Sequence, residues 1–114
     1  MEVYKLPLDY MDLIIYTGFG YPGRDLLMTR SADAVVCGCG RIGTIHEFTV
    51  AFEDKKPIGV FEGPWKMDEE LKEIIENAHR FNPKIVTGPD PKKLIEGVIA
   101  LVRKDKLEYK VSKD

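Results

Sequence analysis

Four short apolar runs, each followed by an amphipathic stretch, constrain the fold of this chain more than any other feature. The runs are Leu13-Ile14-Ile15-Tyr16, Ala34-Val35-Val36-Cys37, Pro57-Ile58-Gly59-Val60-Phe61 and Lys84-Ile85-Val86-Thr87. Each has strand length and no in–out alternation, the pattern of strands covered on both faces. The stretches between them carry helical spacing. Arg24 to Ala32 reads as a short helix. A second opens at Thr44 and runs to about Glu53, with Ile45, Phe48 and Phe52 on one face. Met67 to Arg80 has Asp68, Glu69 and Glu70 at its positive end and a stripe of Leu71, Ile74, Ile75 and Ala78. Asp90 and Pro91 supply the N-cap and N1 of a last helix, which turns Leu94, Val98, Leu101 and Val102 to the core. From about Asp105 the chain is charged and reads as a flexible tail. The rhythm predicts an α/β, three-layer domain built on a parallel sheet of about four strands.

The chain has 114 residues, enough for one domain spanning 1–114. A full doubly wound nucleotide-binding domain has about six strands, so this would be a reduced version. With 17 basic and 19 acidic residues, net charge −2, there is no basic surplus of the kind that binds nucleic acid. No apolar run approaches the roughly 20 residues that span a bilayer, and the opening MEVYKLPLDY is not a secretory signal. Cys37 and Cys39 are too close in sequence to staple a fold; free thiols fit a cytoplasmic setting. The expected partner is a small molecule, not a nucleic acid or a membrane.

In parallel sheets, ligands bind at the carboxyl ends of strands. Two glycine-rich loops leave such ends here, residues 17–23 and 38–43, and they fall on one rim. The second loop, Gly38-Cys39-Gly40-Arg41-Ile42-Gly43, is followed by a helix whose amino end carries partial positive charge. Bare backbone N–H groups there suit a phosphate. Thr44-Ile45-His46-Glu47 has two readings. In one, Thr44 caps the helix and Glu47 reaches back as the partner of a capping box. In the other, Glu47 faces the rim as a base or as an acceptor for ribose hydroxyls. The local residues favour the first. Arg24 could hold phosphate bidentately or be a solvated helix-end charge, and Arg41 could contact phosphate or point outward.

Cys37, Cys39 and His46 lack the further ligands of a structural zinc site, so no metal is expected. Cys37 reads as a small buried residue and Cys39 as a thiol near a helix amino end, without a base nearby in sequence. His79 reads as serving a helix carboxyl end, and Trp65 as covering the core edge rather than stacking on a base. No cofactor is implied.

Taken in order, these segments resemble the LOG-like family, whose hallmark is PGGxGTxxE. The residues that carry the resemblance are Asp12 to Gly20, Arg24, Ser31 to Val36, Gly40-Arg41-Ile42-Gly43-Thr44-Ile45-His46-Glu47 and Lys56 to Val60. The nearest branch is that of the Rossmann-fold nucleotide-binding proteins that include the molybdenum cofactor carrier protein. The resemblance runs from about residue 10 to about 100 and corresponds to the family's C-terminal half. It implies that Gly40, Arg41, Gly43 and Thr44 hold a nucleotide phosphate. It also implies that Arg24 and Glu47 match residues which, in the hormone-activating members, hydrolyse the N-glycosidic bond of a nucleoside monophosphate. Cys39 stands where the motif has proline, and Arg41 where it has its second glycine. Three functions follow as expectations: binding of a nucleotide or nucleotide-derived ligand, phosphoribohydrolase activity, or a scaffold half acting through self-association. A homodimer is expected.

Overall fold

β-branched and small apolar residues put β1 (Val35–Cys37), β2 (Ile58–Phe61) and β3 (Ile85–Gly88) into one parallel sheet of order β1-β2-β3. The computed structural model describes residues 9–79 and 84–113. The register pairs Val35 with Ile58 and Cys37 with Val60, so these four side chains share one face. That face meets α2 (Ile42–Glu53) through Phe48, Ala51 and Phe52, and α3 (Met67–Asn77) through Met67 and Leu71. Phe48, Ile58, Val60 and Leu71 are sealed from solvent.

The opposite face of the sheet takes α4 (Pro91–Lys113). Gly59 lets it approach: a methyl group there would lie 2.8 Å from Val98 Cγ2 and 3.4 Å from Leu94. α1 (Gly20–Ser31) packs on α2. The result is a reduced Rossmann-like α/β domain with helices on both sides of a parallel sheet.

Three expectations change. Residues 13–16 are not a strand, and the sheet among the described residues has three strands rather than four. Leu13, Ile15 and Tyr16 are 77%, 73% and 81% exposed. An apolar run becomes a strand only when a neighbour takes its backbone hydrogen bonds, and none does so among the described residues. α1 begins four residues before Arg24, because Pro22 is tolerated in a first turn, where N–H groups have no partner anyway. α4 continues through Lys113, where a tail was expected from Asp105. Ion pairs of Asp105 with Lys84 (2.8 Å) and of Lys106 with Asp33 (3.3 Å) tie that part of the helix to the rest of the domain. Residues 1–8, Arg80 and Asp114, on which parts of the sequence reading fell, lie outside the described residues.

His79 does terminate its helix: it takes a left-handed φ of 53° just past the C-cap Ala78. Trp65 is a core-edge residue, its ring 5.4 Å from that of Phe61 and packed against the core cluster.

Candidate functional site

β1 ends at Cys37, and the chain crosses Gly38 to Gly40 to reach Arg41, the N-cap of α2. Arg41 has extended backbone (φ −123°, ψ −157°), so arginine in place of the motif glycine introduces no strain. Its carbonyl accepts the N–H groups of Thr44 (3.0 Å) and Ile45 (3.4 Å). The helix therefore starts at Ile42. Thr44 is not its cap, and no side chain caps this end. The loop is closed tightly from inside: a methyl group at Gly40 would lie 1.9 Å from Thr44 Oγ1 and 2.7 Å from its Cβ. Only glycine fits there.

With the helix starting two residues early, Glu47 sits in its second turn and the capping box does not form. Its carboxyl meets α1 instead. There Asp25 is buried, 5% exposed, in the α1–α2 interface. Its Oδ1 is 3.7 Å from Arg24 Nη2 and its Oδ2 is 3.6 Å from His46 Nδ1. Burial raises the Glu47 carboxyl above its usual range, and the Asp25 carboxylate raises it further by its charge and by hydrogen bonding. Arg24 and His46 pull it back.

Arg24 is half exposed, with its guanidinium carbon 4.7 Å from the Tyr21 ring centroid, a cation–π contact that holds it beside the rim. Gly43 joins the group from the loop side: a methyl group added to it would lie 3.5 Å from Asp25 Oδ2. Arg24, Glu47 and Gly43 are thus brought together. Gly40 and Thr44 form the adjoining turn, and Arg41 is exposed at the N-cap. Asp25 had no sequence signal beyond its adjacency to Arg24.

Cys37 is buried and Cys39 exposed, both free. Burial, then the nearby Glu47 carboxyl, push the Cys37 thiol up to about 11, so it is no nucleophile at neutral pH. Among the described residues, no group of three or more His, Cys, Asp or Glu side chains could hold a metal ion.

A cleft of about 510 Å³ lies at the opposite rim, lined by Lys55, Pro57, Lys84, Val102, Lys106 and Tyr109 among others. Several of its charges are paired internally. Lys84 and Lys106 hold Asp105 and Asp33, and the Lys56 ammonium donates to the carbonyls of Arg30 and Ala32. These contacts fasten the ends of α1 and α4.

A family model described as the SLOG cluster4 family matches residues 2–95, which takes in every residue of the rim described above. The chain belongs to the SLOG cluster4 family. SLOG denotes the superfamily that joins SMF/DprA and LOG proteins, so the LOG-like resemblance holds at that level. At that level too, membership of the SLOG cluster4 family suggests a nucleotide-related, Rossmann-like binding function. No curated protein and no solved structure matches the chain. No helix among the described residues is long and apolar enough to cross a membrane.

Proposed function

We propose that this SLOG cluster4 protein binds a nucleotide or nucleotide-derived ligand at the rim beyond β1. In this reading the Gly40–Thr44 loop and the amino end of α2 hold the phosphate, with Gly43 and Arg41 at the helix entrance. Arg24 supplies the countercharge, and Glu47 accepts from the sugar. The observation that carries the reading is the uncapped amino end of α2, with Arg24 and Glu47 gathered beside it from separate segments.

Isothermal titration with AMP tests it. Wild type binds AMP, and Glu47→Ala and Gly40→Ala each weaken binding at least about tenfold, or ~1.4 kcal/mol, while the fold survives by circular dichroism. Undiminished binding by both variants would remove the rim from the site.

A second reading, phosphoribohydrolase activity, is favoured by the Asp25–Glu47 pair, since linked carboxyls supply acid–base chemistry. Glu47 would assist attack of water on the anomeric carbon and Arg24 would stabilise charge on the phosphate. Release of free base from AMP or a cytokinin-type nucleotide, lost in Glu47→Gln, separates hydrolysis from binding alone.

A further inference from the structure

His46 has no part in the binding mode proposed above, yet its ring is held at the same rim. Gly43 and His46 lie one turn apart on the same side of α2. A single oxygen from α1, Asp25 Oδ2, sits against both. It is 3.6 Å from His46 Nδ1 and would be 3.5 Å from a methyl group on Gly43. The Asp25 side chain is 7% exposed and the His46 side chain 38%. The carboxyl therefore seats Nδ1 on the buried side. The two nitrogens of an imidazole point away from each other, so Nε2 is turned to the exposed side. Arg24, itself half exposed, approaches the other carboxyl oxygen, Oδ1, at 3.7 Å. One buried carboxyl thus holds two outward-reaching side chains, one from each helix.

We propose that Asp25 is a positioning residue for His46, and that His46 Nε2 is a second hydrogen-bond acceptor for the sugar of the ligand. The chemistry follows from what each group can do. A carboxylate only accepts, so the neutral ring carries its proton on Nδ1, toward Asp25, and leaves the Nε2 lone pair bare. At 3.6 Å the approach is longer than a hydrogen bond; such contacts commonly tighten in the complex. Arg24 only donates, which suits a phosphate, while a bare Nε2 suits a hydroxyl. Cation and acceptor side by side complement a phosphate ester with a neighbouring hydroxyl. Glu47 takes one sugar hydroxyl and His46, next to it on α2, takes the other. The ligand class is then a ribonucleotide, and an analogue without sugar hydroxyls leaves these acceptors unmatched. The ligand half of the proposal rests on the nucleotide-binding reading above; the state of the ring does not.

Asp25→Asn tests the ring, because Arg24 dictates which way the amide turns. Arg24 takes the amide oxygen, so the amide nitrogen faces His46 and donates to Nδ1. The ring proton then moves to Nε2. Nitrogen-15 NMR of the imidazole, in ligand-free protein at about pH 8 where the ring is neutral, reads this directly. Wild type shows the Nδ1–H form and Asp25→Asn the Nε2–H form. The ligand half is tested by calorimetry with AMP and 2′,3′-dideoxy-AMP. The ratio of the two affinities is the readout, since it cancels the change of charge at residue 25. His46→Phe keeps a ring and removes both nitrogens. It lowers the preference for AMP on the order of tenfold, and Asp25→Asn lowers it part of the way.

A tautomer that Asp25→Asn leaves unchanged overturns the positioning role, and an unchanged ratio in His46→Phe overturns the acceptor role. Wild type found in the Nε2–H form overturns the proposal with no variant needing to fold. Should wild type bind no AMP while the ring behaves as stated, the nucleotide reading has failed and the Asp25–His46 pair stands. AMP binding with a ring indifferent to Asp25 is the reverse.

Discussion

Glu47 carries opposite loads from its neighbours, and that makes its ionisation a probe of the folded state. Burial comes first, then the Asp25 carboxylate, and both hold its midpoint above the unfolded value. Native protein therefore binds more protons than unfolded protein between the two midpoints. Its stability falls as pH rises through that window, and the contribution of Glu47 is fully present only below the unfolded midpoint. Glu47→Gln removes this dependence. Urea unfolding across pH 4–8 is expected to show the variant gaining on wild type as pH rises, with the difference levelling off above the folded midpoint. Parallel pH profiles would show that Glu47 is no more perturbed than a surface glutamate.

At the scale of elements, two glycines on the α4–sheet contact differ in what they permit. A methyl at Gly59 meets Val98 Cγ2 at 2.8 Å in the tightest part of the packing. Gly59→Ala is expected to cost about 1–3 kcal/mol by overpacking. A methyl at Gly97 meets Val86 Cγ1 at 3.2 Å, and alanine also gains roughly 0.5–1 kcal/mol of helix propensity. Gly97→Ala should be near neutral, and denaturant midpoints of the two variants check the contrast. These elements were legible because Val35, Ile58, Val60 and Ile85 form runs with one physical outcome, and because Leu71, Leu94 and Val98 recur at helical spacing. The 13–16 run was not legible, because Leu13 and Ile15 have strand composition but, among the described residues, no neighbour to pair with. Within the candidate site, the glycine loop pointed to Gly43, whereas Arg24 and Glu47 were singled out by the family resemblance, since the local residues favoured a cap for Glu47 and a solvated charge for Arg24. Neither signal reached Asp25, because it lies buried on the inner face of α1 beside Thr29 while Leu26, Leu27 and Met28 face outward. That inversion of apolar and polar faces belongs to tertiary packing, and the start of α2 at Ile42 rather than Thr44 arises from Arg41 backbone geometry.

On the scale of the whole molecule, exposed apolar surface is unevenly distributed. Of the seventeen large exposed hydrophobic residues among those described, twelve lie between Tyr10 and Val36. That stretch contains the irregular segment 11–17, the outward face of α1 and the strand β1, which pairs only with β2 among the described residues. An unpaired strand edge beside apolar side chains is a site at which chains associate, and closed symmetric pairing is the commonest way to cover one. The expected homodimer would use this stretch. Light scattering should then give twice the chain mass, with monomer appearing on dilution. Ile15→Glu with Leu27→Glu, both at exposed positions, should shift the equilibrium to monomer without changing the circular dichroism spectrum. A stable specific dimer buries roughly 800 Å² per partner, so two charges placed within such a surface are sufficient to disrupt it. Wild type that stays monomeric at its highest soluble concentration would rule out self-association, and an unchanged mass for the double variant would move the interface elsewhere. The rim lies between α1 and α2, so association through the outward face of α1 leaves Asp25 and Glu47 in place. AMP affinity of the monomeric variant should accordingly match that of wild type.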